Sequence, residues 1–366
     1  MNDYLIVGGG LVGLLTARYL SQAGAQVSLV ERGEFGLESS WAGGGIISPL
    51  YPWKYPEAVN TLSAWSQQQY PRLAMELLET TGIDIEWTPS GLLILDADQG
   101  ELALDWAAQH PATTLELVDG ENLHRIEPAV GAFKGPGIWL PEVAQIRNPK
   151  LIKALVEDLR QRGVRLADNT EVTHLLTKRG RIQGVQTDYN EVMANNVIIA
   201  CGAWSATLLN QIDQSLPVVP VRGQMILFHA APGQLSRIVL SEGHYAIPRR
   251  DGRILVGSTM EDVGFDKTVT EEARNDLIQA AIELVPMLAD TPIERHWAGL
   301  RPGSPTGVPF IGAYPDMEGL YINAGHFRNG VVMAPASAQL MVDILLGRNT
   351  VVDPQPYAVE GRPSAA

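Results

Sequence analysis

A glycine-rich turn near the N-terminus constrains the fold of this chain more than any other feature. A short apolar run at residues 4–7 leads into the sequence GGGLVG at 8–13, which fits the pattern G-x-G-x-x-G, and helix-forming residues follow as far as Gly24. A second apolar run at 26–30 ends at Glu31. This order of strand, glycine turn, helix, strand and acid predicts a βαβ unit that binds a dinucleotide.

Each glycine of the pattern has its own physical role. Gly8 permits the tight turn, Gly10 lets the backbone approach a pyrophosphate, and Gly13 lets the helix pack closely on the strand. The N-terminus of the helix presents free N–H groups and partial positive charge to the phosphates. Glu31, at the tip of the second strand, is placed to accept hydrogen bonds from ribose hydroxyls. The pattern does not distinguish NAD from FAD.

Composition and charge narrow the class of protein. The 366 residues predict about two domains. Lys and Arg number 27 against 41 Asp and Glu, and the net charge of -14 argues against nucleic acid or an anionic membrane as partner. The single cysteine, Cys201, excludes an internal disulfide framework and a CxxC metal or redox site, so we predict no metal. We find neither a signal-peptide pattern nor an apolar run long enough to span a membrane, and we expect a cytoplasmic enzyme.

The periodicity of the remaining chain predicts a nucleotide-binding domain that is discontinuous in sequence. The sequence changes character at 217–260, where alternating apolar and polar residues dominate, and strand patterns return at 293–300 and 319–324. We therefore predict an α/β plus antiparallel-β fold, in which a Rossmann-like domain carries an inserted antiparallel-sheet substrate domain. The predicted pieces are 1–85, 142–216 and 304–366 for the Rossmann-like domain, and 86–141 and 217–303 for the substrate domain.

Several local features are predicted from turn and cap residues. Pro71 should kink or split a helix over about 60–81. Residues 87–96 resemble a strand, and Asn148 should cap a helix whose first turn holds Pro149. Because proline fits the first turn of a helix, Pro335 predicts a helix that starts close to Gly330. The proline-containing last 15 or so residues look like a loosely held tail.

Three short motifs in the C-terminal half are the most discriminating part of the sequence. They are HYAIPR at 244–249, WAGLRPG at 297–303 and GHFRNG at 325–330. Together with the glycine turn they resemble the FAD-dependent D-amino-acid oxidase superfamily, and within it the glycine oxidases, over nearly the whole chain. The resemblance implies FAD as cofactor and a homo-oligomer. Monomeric sarcosine oxidases attach their flavin through a cysteine in the C-terminal half, whereas Cys201 lies at a strand end, so we predict noncovalent FAD.

The resemblance assigns substrate binding to Arg301, Tyr245 and Arg328. Arg301 would bind the substrate carboxylate, because a guanidinium fork donates two parallel charge-assisted hydrogen bonds that a lysine cannot match. Tyr245 would donate its phenol to the same carboxylate, and Arg328 would lie beside the flavin and the substrate. The alternatives are that Arg301 pairs with a structural acid, that Tyr245 is a core aromatic and that Arg328 makes a surface ion pair.

The predicted cofactor contacts extend beyond the glycine turn. A loop at 38–49, rich in glycine and serine, would make a second phosphate and ring contact, unless it is a flexible surface loop. The N-terminus of the helix after Gly330 would face the flavin ring, and His326 is either a contact or a packed side chain. The predicted cofactor-binding residues are Gly8, Gly10, Leu11, Val12, Gly13, Glu31, Arg32, Ser39, Ser40, Gly44, Gly45, Ile46, Val172, Cys201, Gly202, Trp204, His326, Arg328, Asn329, Gly330, Val331 and Val332.

The reaction implied by the resemblance is oxidative deamination of glycine, sarcosine and small D-amino acids. Hydride transfer to flavin N5 and hydrolysis of the imine would give a 2-oxo acid and ammonia, and oxygen would be reduced to hydrogen peroxide. Glycine imine would then feed thiazole synthesis for thiamine. Pro49 and Leu50 are bulkier than the resemblance implies, which leaves the preferred substrate open. The alternatives are a quinone-linked D-amino-acid dehydrogenase, a tRNA-modifying FAD oxidoreductase and a non-catalytic flavin-binding protein.

Overall fold

Two eight-stranded sheets organise the chain in the computed structural model, which describes residues 2–133 and 135–360. The strands in chain order are β1 Asn2–Val7, β2 Val27–Val30, β3 Ile46–Ile47, β4 Leu92–Ile94, β5 Glu116–Val118, β6 Gly137–Leu140, β7 Ala144–Gln145, β8 Arg165–Ala167, β9 Val172–Lys178, β10 Arg181–Thr187, β11 Glu191–Ile199, β12 Val219–Phe228, β13 Ile238–Ser241, β14 His244–Pro248, β15 Ile254–Gly257, β16 Ile293–Gly303, β17 Phe310–Ala313 and β18 Leu320–Ala324. The α-helices are α1 Leu11–Gln22, α2 Ser39–Ala42, α3 Glu57–Thr81, α4 Gly100–Gln109, α5 Gly120–Ile126, α6 Asn148–Gln161, α7 Ser205–Leu209, α8 Glu271–Leu284 and α9 Gly330–Leu346.

The first sheet contains the predicted βαβ unit. Its main path runs β17-β18-β11-β1-β2-β8, and β1 is parallel to both β2 and β11. Helices α1, α3, α6 and α9 pack together in the core on one side of this sheet. Because both faces are covered at the centre of the sheet, β1 and the second half of β11 are apolar there: Leu5, Ile6, Val197 and Ile198 have no exposed surface.

The second sheet is almost wholly antiparallel and runs β16-β12-β15-β14-β13-β4-β6-β5. Helix α8 covers one face of it, where Leu277 and Ala281 are fully buried. The other face holds Met225 and Tyr245 and packs against the loop that contains Ile46. A Rossmann-like sheet joined to an antiparallel sheet confirms the predicted fold class. The five domain boundaries stay predictions.

Helix α3 is continuous across Pro71, so the predicted split is wrong there, while the alternative of a kink stays a prediction. Proline removes one backbone hydrogen bond from the helix, but Tyr70, Leu73 and Leu77 on the same helix are buried in the core. Burial of side chains of this size contributes about 1.5–3 kcal/mol each, which outweighs the loss.

Helix α9 begins at Gly330 as predicted and ends at Gly347, whose φ of 61° is left-handed. Pro335 nevertheless lies in its second turn. Proline cannot donate to the carbonyl of Val331, and the hydroxyl of Tyr70 donates to that carbonyl instead. A residue from α3 thus replaces the missing bond, which is why the proline is tolerated there.

The stretch Phe327–Leu346, which includes α9, is long and apolar enough to cross a membrane, with a hydropathy of 1.4. In this fold 67% of it is buried, because α9 packs against α1 and α3. It therefore has the burial of a core helix.

Three further local predictions are wrong. Of 87–96 only β4 is a strand. Asn148 does not cap α6, since its side chain donates to Ser40 and Gly43 instead. The tail is held at Tyr357, which is 1% exposed and donates its hydroxyl to the carbonyl of Ala58 at 2.7 Å. Residues 361–366 of that predicted tail lie outside the described residues.

Candidate active site

A cavity of about 290 Å³ lies between the two sheets. Apart from Gly13, the predicted site residues line it, those of the glycine turn together with Tyr245, Arg301 and Arg328. Gly13 does not line the cavity but lets α1 pack closely on the glycine turn, because a Cβ there would lie 2.0 Å from the carbonyl oxygen of Gly8. The fold therefore brings the predicted cofactor and substrate residues into one space, while their individual roles stay predictions.

The glycine turn has the geometry that close approach to a ligand requires. Gly8 has φ +112°, and a Cβ there would lie 2.4 Å from the carbonyl oxygen of Ala200. A Cβ at Gly10 would meet the hydroxyl of Ser40 at 3.2 Å, and the same hydroxyl accepts from the N–H of Leu11 at 2.9 Å. The hydroxyl of Ser40 occupies one N–H of the first turn of α1, whereas those of Val12 and Gly13 have no hydrogen-bond partner among the described residues and can serve a phosphate.

Glu31 is held in place by the backbone. Its two carboxylate oxygens accept from the N–H groups of Gly9 at 2.7 Å and Gly33 at 3.1 Å. Each carboxylate oxygen can accept more than one hydrogen bond, so the group keeps acceptor capacity for ribose hydroxyls. This set of an open helix N-terminus and an oriented carboxylate fits the adenosine diphosphate part of FAD.

Trp204 lines the cavity, and both Arg32 and Phe265 stack on its indole ring. The guanidinium carbon of Arg32 lies 3.8 Å from the centre of the ring, and Phe265 stacks at 5.4 Å. Glu38 links the same region to the second sheet through ion pairs with Arg32 at 3.1 Å and Lys267 at 3.0 Å. Trp204 can therefore offer its ring edge to a ligand.

Three glycines on adjacent strands open the face of the second sheet. Gly223 pairs with Gly299, and Gly257 pairs with both Met225 and Tyr245. A Cβ at Gly257 would lie 3.1 Å from the hydroxyl of Tyr245. Glycine within a strand marks a close approach, and here the approaching groups are the functional side chains themselves.

Arg301 lies flat over Gly223 and has unused donors. Its Nη1 donates to the carbonyls of Thr259 at 3.1 Å and Arg222 at 3.4 Å, and its Nη2 donates to the hydroxyl of Ser258 at 2.7 Å. None of these three hydrogen bonds uses Nε, and the side chain of Tyr245 lies within hydrogen-bonding reach of the same guanidinium. A guanidinium with a donor to spare beside a phenol can bind a carboxylate.

The charge of Arg301 has no counterion among the described residues, so pairing with a structural acid is not observed. Burial lowers the pKa of Arg301, and the neighbouring Tyr245 partly opposes this. A buried cation without a carboxylate partner is costly and favours a ligand that brings a negative charge.

The turn before α9 carries polar atoms that lack partners. Asn329 Nδ2 and His326 Nε2 are buried without a hydrogen-bond partner among the described residues, and both side chains line the cavity. Burial lowers the pKa of His326 to about 3, so its ring is neutral at physiological pH. Arg328, in the 3-10 turn Phe327–Asn329, also lines the cavity. The amide group of Asn329 is therefore an unpaired donor beside a helix N-terminus, which suits the acceptor-rich pyrimidine ring of a flavin, whereas His326 Nε2 donates only in one of the two neutral tautomers.

The thiol of Cys201 has low reactivity in this position. Its thiol donates to the carbonyl of Val7 at 3.2 Å, and burial raises the thiol pKa to about 12. The nucleophilic thiolate is therefore scarce at neutral pH.

Sequence reasoning missed residues that complete the wall. Met225 lines the cavity with its sulfur 4.0 Å from the hydroxyl of Tyr245, and Ser258 orients Arg301. Leu50 lines the cavity, while its neighbour Pro49 is not among the lining residues. The glycines within strands were the one available signal, since no motif marks Met225 or Ser258.

Comparison with known proteins gives concordant matches. Residues 3–344 match the DAO family, described as FAD dependent oxidoreductase. Glycine oxidase of Pseudomonas aeruginosa is 50% identical over 359 residues, which cover 98% of both chains. The bifunctional protein ThiO/ThiG of Trichormus variabilis is 33% identical over 94% of this chain and 53% of its own length. The crystal structure of glycine oxidase from Geobacillus kaustophilus matches with a TM-score of 0.93 at 27% identity and covers 99% of each chain.

Proposed function

The chain belongs to the DAO family of FAD-dependent oxidoreductases and is an FAD-dependent amino acid oxidase, and from this premise we propose that it oxidises glycine and other small amines. The proposed substrates include sarcosine and small D-amino acids. The proposed products are a 2-oxo acid, hydrogen peroxide and the released amine, which is ammonia for a primary amino acid and methylamine for sarcosine. The observation that carries the proposal is that the guanidinium of Arg301, which has no carboxylate partner among the described residues, lines the cavity that also contains the dinucleotide turn.

In this proposal Arg301 binds the substrate carboxylate through its guanidinium, and Tyr245 donates its hydroxyl to the same group. Hydrogen bonds to charged groups contribute about 1.5–3 kcal/mol each. Two such bonds in one plane fix the direction of the substrate as well as its affinity. Arg328 adds a second positive charge at the same cavity.

The cofactor is held by the turn at Gly8 and Gly10, by the N-terminus of α1 and by Glu31. Bound FAD supplies the two-electron acceptor that receives the α-hydrogen of the substrate as hydride, and oxygen restores its oxidised form with release of hydrogen peroxide. We propose that FAD is bound noncovalently, since the thiol of Cys201 is protonated and hydrogen-bonded.

The protein contributes little acid–base chemistry to this scheme. The four carboxylates that line the cavity all belong to segments after β2 or after β8: Glu31, Glu34, Glu38 and Glu171. No described carboxylate of the second sheet lines it, and His326 is neutral. In this proposal the ammonium group of the substrate loses its proton to water before hydride transfer, and the wall orients the neutral amine without acting as a base.

The proposed preference for small substrates is supported by the apolar wall around Arg301. Leu50 and Tyr245 are 9% and 7% exposed, and Met225 is 3% exposed beside them. These tightly packed side chains leave little room for a large group on the substrate Cα.

A substrate panel with peroxide detection tests the proposal. The purified protein is incubated in air with glycine, sarcosine, D-alanine, D-proline and L-alanine, and oxygen uptake and peroxide are measured together. With glycine, sarcosine, D-alanine and D-proline we expect the oxygen consumed and the peroxide formed to be equal in molar amount. Flavin reduction by D-amino acids without peroxide would favour the quinone-linked dehydrogenase. No reaction with any amine would overturn the assignment.

We further propose that the imine from glycine serves thiazole formation in thiamine synthesis, which the similarity to the ThiO/ThiG protein supports. Complementation of a thiamine auxotroph that lacks its own glycine-oxidising enzyme tests this step. A cytoplasmic homo-oligomer is proposed by analogy, and light scattering coupled to gel filtration measures the oligomeric state.

A further inference from the structure

Three consecutive backbone carbonyls in the loop after α2 are each held by a different donor. The carbonyl of Gly43 accepts from Asn148 Nδ2 at 3.0 Å, and that of Gly44 accepts from Arg249 Nη2 at 2.7 Å. The carbonyl of Gly45 accepts from the N–H of Ile146 at 2.9 Å. All three carbonyls therefore point into the protein.

The direction of the carbonyls sets the direction of the amide groups. In a planar trans peptide the N–H points opposite to the C=O of the preceding residue. The N–H groups of Gly44 and Gly45 thus point away from Asn148 and Arg249, and neither has a hydrogen-bond partner in the described part of the chain. Both residues line the cavity. We call the N–H groups of Gly44 and Gly45 the donor wall.

Arg249 connects the donor wall to the second sheet. It follows β14, and its Nη1 also donates to the side chain of Gln145 at 2.8 Å and to the carbonyl of Ile146 at 3.0 Å. One guanidinium therefore holds the loop and β7 in a fixed relation. A single ammonium group lacks the planar fork that reaches acceptors in these separate directions.

Arg249 is a half-buried structural cation. It has no carboxylate partner among the described residues, and it does not belong to the residues that line the site cavity. Burial lowers its pKa to about 10, which still leaves it charged at neutral pH. A charged donor makes a stronger hydrogen bond to a carbonyl than a neutral donor does.

We propose that Arg249 is a positioning residue, which fixes the carbonyl of Gly44 so that the donor wall faces an electronegative edge of the bound cofactor. The inference rests on the proposed function only in placing cofactor and substrate in the same cavity. Cofactor binding would then depend on Arg249, a residue of the HYAIPR motif that does not touch the substrate.

The test measures FAD binding to the apoprotein by quenching of flavin fluorescence. Arg249→Met removes all donors, and Arg249→Lys keeps the charge without the fork. The matched control is Arg250→Met, because Arg250 is the next residue and contacts Asp84, Trp87 and Thr88 but not the loop. We expect the dissociation constant of FAD to rise about tenfold or more in both Arg249 variants. The control should stay within twofold of the wild type.

Circular dichroism of the apoproteins separates positioning from misfolding, and the lysine variant covers the case in which methionine prevents folding. Rescue adds a second readout: methylguanidinium, but not methylammonium, should restore FAD affinity to Arg249→Ala. A folded Arg249→Met or Arg249→Lys protein that binds FAD as tightly as the wild type would overturn the proposal. If the wild type oxidises no amine but the Arg249 variants bind FAD weakly, this inference still holds and only the proposed substrate is refuted.

Discussion

Replacement of Gly223 by alanine should displace Arg301 without disturbing the fold. The added Cβ would lie 2.1 Å from Nη1, 2.3 Å from Nη2 and 2.4 Å from Cζ of Arg301. Ordinary contact begins at 3.4 Å. The guanidinium must therefore move by about 1 Å, because attraction between atoms becomes repulsion at shorter range.

This movement has a cost that can be worked out from the hydrogen bonds. A shift of this size breaks the alignment with Ser258 at 2.7 Å and turns the guanidinium away from the substrate carboxylate. Loss of one charged hydrogen bond of about 1.5–3 kcal/mol corresponds to about a 10- to 150-fold change in affinity. We expect the KM for glycine to rise by this factor in Gly223→Ala, and kcat to fall less.

Steady-state oxygen uptake with glycine measures KM and kcat, and thermal unfolding of the same samples checks the fold. The matched control is Gly100→Ala, in which the added Cβ would meet Leu117 at an ordinary 3.5 Å. The control should keep wild-type kinetics. If Gly223→Ala also keeps a KM within twofold of the wild type, the guanidinium over Gly223 does not bind the substrate as described.

Three further predictions concern single side chains. Arg301→Lys keeps the charge but not the planar fork, so kcat/KM for glycine should fall about tenfold or more, and an unchanged value would remove the bidentate contact. Because burial raises the thiol pKa of Cys201 to about 12, this cysteine should react with Ellman's reagent only after unfolding. FAD is then bound noncovalently, so acid precipitation of the protein should release all of it into the supernatant, and flavin in the pellet would contradict this. The pKa of His326 is about 3 in the folded protein and 6.5 in the unfolded chain, so the unfolded chain binds more protons below pH 6.5. The free energy of unfolding should therefore fall by up to about 1.4 kcal/mol per pH unit as the pH drops below 6.5. Urea midpoints between pH 7 and 5 should show this slope in the wild type and a shallower one in His326→Gln; equal slopes would refute it.

The parts of the site that depend on local geometry were predictable from the sequence. The turn at 8–13 and the acid at Glu31 lie within one βαβ unit, and their spacing follows from the length of a strand and a helix. The start of α9 at Gly330 was predicted correctly, although the argument from Pro335 was not right, because this proline lies in the second turn. The tolerance of Pro335 there was not predictable, because the compensating hydroxyl belongs to Tyr70, 261 residues away in sequence.

The parts that depend on sheet register were not predictable. Gly223 and Arg301 lie on β12 and β16, and nothing in either strand alone shows that the guanidinium crosses the glycine. The sequence shows Arg249 only as the last residue of the HYAIPR motif. Its contacts could not be predicted, because its acceptors lie in and just after β7 and in the loop after α2. Asn148 was assigned to a helix cap because asparagine is common there, whereas its amide holds the loop carbonyl of Gly43.

The central claim is that the guanidinium of Arg301 recognises the carboxylate of an amine that the flavin oxidises. Anaerobic flavin reduction by glycine and by glycinamide, followed at the flavin absorbance maximum in the wild type and in Arg301→Met, tests it directly. We predict that the wild type prefers glycine by at least about 100-fold, from two charged hydrogen bonds, and that Arg301→Met loses most of this preference. A preference for glycine that survives unchanged in Arg301→Met would contradict the account.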